Sequence, residues 1–152
     1  MSKAPPRPKP VALDDIRIDG DTQSRQAIDE AAVAEYAEAY AAGETLPPVI
    51  VYFDGAALWL ADGFHRYHAR RRGDYKTIDA ITLEGTKTDA QWAASAANKA
   101  HGLKRTNADK RRAVEMALAA HPDDSDRAIA EHVGVSNTFV GEVRGQLSSV
   151  DS

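Results

Sequence analysis

At Gly63 an apolar run gives way to a basic one. Ala56-Ala57-Leu58-Trp59-Leu60 leads into Ala61-Asp62-Gly63, and Phe64-His65-Arg66-Tyr67-His68-Ala69-Arg70-Arg71-Arg72 follows before Gly73. That order predicts a strand, a tight turn and a basic helix. Backbone N–H groups at the start of a helix have no partner within it and carry partial positive charge. A glycine there followed by Arg66 offers a seat for a phosphate; the alternative is an ordinary turn ahead of a solvated helix face.

The flanking sequence supplies further strands. Val11-Ala12-Leu13 and Ile16-Arg17-Ile18 read as a short strand or strand pair, closed by the turn cluster Asp19-Gly20-Asp21. From Asp29 onward Val33, Tyr36, Ala37 and Tyr40 recur at helical spacing as far as Gly43. Pro47 and Pro48 forbid a helix, and Val49-Ile50-Val51-Tyr52-Phe53 reads as a strand buried on both faces. Asp54-Gly55 is a hairpin signal that pairs it with Ala57 to Leu60. Ile78 to Leu83 alternates as a strand does, and Thr88-Asp89 is placed to cap a helix from Ala90 to about Lys99, with Trp92 on its apolar face.

A chain of 152 residues can bury one core or two small ones. The absence of cysteine excludes a disulfide framework, cysteine-based zinc sites and a thiol nucleophile, and suits a reducing cytosol. No stretch is apolar enough to span a membrane, and Met1 to Pro10, with Lys3, Arg7, Lys9 and four prolines, reads as a flexible leader. The net charge of −4 conceals an uneven distribution. Nine acids lie between Asp14 and Glu44 against Arg17 and Arg25 alone. Two basic islands follow: Arg66, Arg70, Arg71, Arg72 and Lys76 opposed by Asp74, then Lys99, Lys104, Arg105, Lys110, Arg111 and Arg112 opposed by Asp109.

Thr106 or Asn107 caps a helix running to about Ala120, with Val114, Ala117 and Leu118 pointing inward. Lys110, Arg111 and Arg112 stand near its start, where cations oppose the helix dipole and a polyanion would relieve them. Beyond His121-Pro122-Asp123-Asp124, Ser125 or Asp126 opens a shorter helix. Gly134, Val140 and Val143 then stand four, ten and thirteen residues after Ala130, the spacing that a helix-turn-helix demands at about 126–147. A merely structural helical hairpin has the same spacing. In a DNA-reading unit the second helix offers Ser136, Asn137, Thr138 and Glu142 to base edges, while Arg144 and Lys110 to Arg112 hold phosphates. Capping of that helix by Asn137 or Thr138 is compatible with both readings.

Five segments stand in a telling order: Thr22-Gln23-Ser24-Arg25, Leu46-Pro47-Pro48-Val49-Ile50-Val51, Gly63-Phe64-His65-Arg66-Tyr67-His68-Ala69, Ala97-Asn98-Lys99-Ala100-His101 and the helix pair around Gly134. In these the chain, from about residue 10 to 148, resembles the N-terminal and central regions of the ParB family, within the ParB/sulfiredoxin superfamily. The resemblance implies an α+β fold, with a small ParB/sulfiredoxin-like mixed-sheet domain over 11–100 and an all-α helix-turn-helix domain over 101–152. It implies a cytidine nucleotide, CTP, whose phosphates meet Gly63, His65 and Arg66, with Gln23 and Arg25 close by and Asn98 closing the pocket. Ala97 stands where the family has an acidic residue that helps to hold Mg²⁺, leaving Asp62 as a substitute, and His101 stands where it has an arginine. Sulfiredoxins carry a Gly-Cys-His-Arg loop; Phe64 occupies the cysteine's place, so reduction of a sulfinic acid is rejected. The expected function is that of a sequence-specific double-stranded DNA-binding protein of partition or transcription-regulator type, cytoplasmic, working as a homodimer and with a partition ATPase as a further partner. The alternative is a nuclease or CTP hydrolase acting through Gly63 to Arg66, with His65, His68 and His101 as acid, base or metal ligands. No catalytic residue and no metal ligand is assigned.

Overall fold

The computed structural model describes residues 7–20, 22, 29–97 and 105–150. Five strands, β1 (Lys9–Ala12), β2 (Ile16–Arg17), β3 (Val49–Phe53), β4 (Leu58–Asp62) and β5 (Thr77–Glu84), form one mixed sheet in the order β1-β5-β3-β4-β2. The helices are α1 (Glu30–Ala41), α2 (Phe64–Arg72), α3 (Lys87–Ser95), α4 (Asn107–Ala120), α5 (Asp126–Val133) and α6 (Asn137–Val150). The fold is α+β, as expected. β1 takes in Lys9 and Pro10, which the sequence reading assigned to the leader.

β1 and β2 do not pair with each other. β1 runs antiparallel to β5 at one edge of the sheet, and β2 runs parallel to β4 at the other. In a flat sheet those edge strands would stand about 19 Å apart, whereas the chain from Ala12 to Ile16 reaches at most about 14 Å. The sheet must therefore curl until its edges approach. A single 3-10 turn, Leu13–Asp15, bridges them and is pinned where the Leu13 N–H donates to the Lys76 carbonyl at 3.0 Å. Leu13 and Ile16 fill the concave side with Val49, Val51, Leu60, Ile78 and the α2 residues Phe64 and Tyr67.

β3 is buried on one face only. Val49 and Val51 point into that core, Ile50 and Tyr52 are half-covered, and Phe53 is 41% exposed. The hairpin to β4 forms as expected, with Gly55 at φ 101° and the Asp54 N–H donating to the Ala57 carbonyl. The Asp54 carboxylate accepts from the Trp59 indole N–H at 2.8 Å and from the Ala56 and Ala57 N–H groups. Those bonds, the indole's foremost, hold its carboxyl down to about 2.

Thr86, not Thr88, caps α3: its hydroxyl accepts from the Asp89 N–H and the Asp89 carboxylate accepts from the Thr86 N–H. The same reciprocal box, Thr106 with Asp109, opens α4. A second apolar cluster holds α4, α5 and α6 together through Val114, Ala117, Ile129, Val133, Val140 and Val143. α3 belongs to both neighbourhoods, lying against β3 and β4 while its Trp92 packs on the second cluster.

Candidate functional site

The β4–α2 junction is fixed by conformation and by space. Gly63 adopts φ 103°, a left-handed conformation that costs other residues free energy. A Cβ added there would lie 2.4 Å from the Val49 Cγ1. No side chain caps α2, so the N–H groups of its first turn have no partner inside the helix.

Arg66, expected to face a phosphate, instead turns inward and is 7% exposed. Its guanidinium donates to the carbonyls of Pro47 and Pro48, the latter at 3.0 Å, and lies 3.7 Å from the Asp62 carboxylate. It therefore ties the Pro47-Pro48 approach of β3 to the first turn of α2. His65 is bonded as well: its Nε2 accepts from the Asp29 N–H at 3.0 Å, joining the start of α2 to the cap of α1. Gln23, Arg25, Asn98 and His101 lie outside the described residues. The residues flanking the first of those stretches are Thr22, whose buried hydroxyl donates to the Leu60 carbonyl, and Asp29 on His65.

The basic side chains on α2 are engaged from within the chain. Arg70 lies 3.8 Å from the Tyr75 ring centroid and 4.9 Å from that of Tyr40, and donates to the Thr77 carbonyl. Arg71 bonds the Tyr67 hydroxyl and the Asp14 carboxylate, and Arg72 pairs with Glu30. The acidic N-terminal segment thus supplies counter-charges for the cations that follow it. His68 lines a surface cavity with Glu30, Val33, Arg71 and Arg72, and burial pushes its imidazole below the ordinary value. Among the described residues no three His, Asp or Glu side chains converge as a metal site.

The helical unit is organised by the turn between α5 and α6. Gly134 adopts φ 86°, and the Arg105 guanidinium donates to the carbonyls of Val133 and Gly134. Ser136 caps α6, its hydroxyl accepting from the Phe139 N–H. Val140 and Val143 are fully buried, whereas Ser136, Asn137, Thr138 and Glu142 are exposed. Arg144, expected on a phosphate, lies across the start of α5, where it pairs with Asp126 at 2.8 Å and donates to the carbonyls of Pro122 and Asp124. Arg111 pairs with Glu115 and donates to Gln146, tying α4 to α6, and Arg112 is half-buried. Lys110, half-buried, and Arg127, exposed on α5, carry no ion pair among the described residues.

Two features escaped the sequence reading. Arg127 stands alone between Ser125 and Ile129 and gives no pattern. Trp92 is sandwiched between His121 and His132, with ring centroids 3.7 and 3.6 Å away and planes within 6° and 5° of parallel. The His132 Nε2–H donates to the Trp92 carbonyl at 2.7 Å. The stack holds α3 against the C-terminal cap of α4 and the end of α5.

No family model matches the chain. It is 34% identical over 107 residues to the transcriptional regulator NovG of Streptomyces niveus, covering 70% of this chain and 33% of that protein. It is 33% identical over 104 residues to a possible regulatory protein of the streptomycin biosynthesis operon of Streptomyces griseus, covering 68% of this chain and 29% of that one. The chain thus spans about a third of the length of these curated relatives. Among solved structures, C-terminally truncated ParB from Caulobacter crescentus complexed to the centromeric parS site superposes with a TM-score of 0.61 at 16% identity, over 90% of this chain and 70% of that one. Its complex with CTP-γ-S gives 0.52 at 14% identity, over 93% and 78%. Sulfiredoxin from Arabidopsis thaliana gives 0.50 at 22% identity, over 58% of this chain and 97% of that one.

The chain has the ParB/sulfiredoxin fold. Phe64, which the resemblance of Gly63-Phe64-His65-Arg66 to the sulfiredoxin loop puts in the cysteine's place, is buried against the core, and the chain contains no cysteine at all. Ala97 lies in the turn after α3, and the Asp62 carboxylate, the candidate substitute for an acidic metal ligand there, faces Arg66. No helix among the described residues is long and apolar enough to cross a membrane.

Proposed function

We propose that this chain acts as a sequence-specific, double-stranded DNA-binding regulator of the ParB-like type, reading its site with α5 and α6 as a helix-turn-helix. The observation that carries the reading is the division of α6. Val140 and Val143 are buried against α4 and α5, while Asn137, Thr138 and Glu142 are exposed and uncommitted to the fold. A helix so divided can enter a major groove by its N-terminal half without disturbing its own packing. Likeness to two bacterial regulatory proteins, and to a ParB solved on its DNA site, supports the same reading. Lys110 and Arg127 are the cations best placed to meet phosphates, and a second copy would present a second half-site reader.

Mobility shifts test this. Substituting Asn137 and Thr138 together by alanine should cost the preferred sequence roughly 10- to 100-fold in affinity while random-sequence binding persists. Removing Lys110 and Arg127 should weaken every duplex and lower the salt slope by about two. Indifference to all four changes would sink the proposal.

A cytidine nucleotide as a control ligand is the second part of the proposal, supported by the Caulobacter ParB complex with CTP-γ-S. The first-turn amides of α2 suit a phosphate. With Arg66 turned inward, charged contacts to it would fall to the segment containing Gln23 and Arg25. Calorimetric titration should find binding of CTP in preference to ATP, lost on Arg25→Ala; no heat with either nucleotide removes this part and leaves DNA binding untouched.

A further inference from the structure

The outward face of α6 offers no free cation. Its one arginine, Arg144, is committed to Asp126 and to two carbonyls at the start of α5. What it offers instead is a carboxylate. Glu142 is exposed one turn beyond Thr138, with Gly145 and Gln146 next along its side of the helix, and it has no ion pair or hydrogen bond among the described residues. Gly145 adds no side chain to that flank, and a Cβ added there would meet nothing within 4 Å.

A carboxylate only accepts hydrogen bonds and is repelled by phosphates, so on a helix facing DNA it weakens binding wherever no base donor meets it. The major groove presents two kinds of donor, the N4 amino group of cytosine and the N6 amino group of adenine. Adenine N6 lies beside the N7 lone pair, which repels a carboxylate's second oxygen, whereas cytosine presents no acceptor at its major-groove edge. Resting on the reading of α6 as the groove-entering helix, we infer that Glu142 selects a cytosine at one position of the DNA site and that the same charge suppresses binding to other sequences. Specificity here comes partly from a repulsive element that the correct base relieves.

The test compares duplexes selected from a randomised library by the 152-residue chain with those selected by Glu142→Gln and Glu142→Ala. The parent should fix cytosine at one position. Glu142→Gln should move that position toward adenine, because an amide can bond N6 and N7 together, and Glu142→Ala should lose about tenfold in discrimination there alone. Both variants should bind random duplex more tightly than the parent. Unchanged preferences at every position in both variants overturn the role of Glu142 and leave the DNA-binding reading standing. If the parent selects no sequence, both fall. Glu142 is exposed, and circular dichroism of the variants should match the parent's.

Discussion

Replacing Gly63 by alanine should destabilise the fold by about 3 kcal/mol, through about 1–2 kcal/mol of left-handed strain and a similar overpacking cost. The two contributions arise at one atom. The added Cβ sits on a backbone at φ 103° and lies 2.4 Å from Val49 Cγ1, on a strand that has no room to recede because Val49 is itself fully buried. Urea denaturation checks this: the midpoint should fall while the slope stays constant. The double change Gly63→Ala with Val49→Ala should recover part of the overpacking cost and none of the strain. A midpoint untouched by Gly63→Ala would mean that the junction is far softer than its geometry.

Arg66→Ala should cost a comparable amount, about 3 kcal/mol, because it strips a nearly buried guanidinium from two proline carbonyls and from its place 3.7 Å from the Asp62 carboxylate. Proline carbonyls are dependent on such a donor here, since the Pro47-Pro48 segment makes no strand pairing until Val49. Arg66→Lys should recover only part of the loss, since an ammonium cannot reproduce the guanidinium's planar fork. The measurement separates two roles for this residue. If Arg66→Ala leaves the denaturation midpoint where it was and removes CTP binding alone, the arginine is a ligand; a large fall in the midpoint makes it a structural latch.

The parts of this molecule legible in the sequence are those decided by a few adjacent residues. Asp54-Gly55 dictated its hairpin, Gly63 its junction, and Gly134 with Val140 and Val143 the crossing of α5 and α6. Partners remote in the chain were not legible. Charge counts identified a basic run at Arg66 to Arg72, yet only the folded chain brings Asp14, Glu30 and the Pro47 carbonyl to those side chains. The start of α3 was misplaced for a similar reason. The Gly85 N–H donates to the Phe53 carbonyl, so β5 is released from the sheet just before Thr86, earlier than the Thr88-Asp89 pattern suggested. Trp92 showed as an apolar residue on a helix, with nothing to disclose that two imidazoles would close on it.

The single turn that links β1 to β2 also governs how this protein meets other chains. An open sheet exposes a row of unpaired backbone groups at each edge, a template on which a foreign strand can grow. Here both edges belong to one short strap. One edge is four residues long and includes Lys9 and Pro10, the other is two residues long, and the sheet curls between them. Proline has no N–H to offer, and a lysine would have to be desolvated before a neighbour could dock. Resistance to edge-to-edge aggregation is thereby concentrated in the nine residues from Lys9 to Arg17.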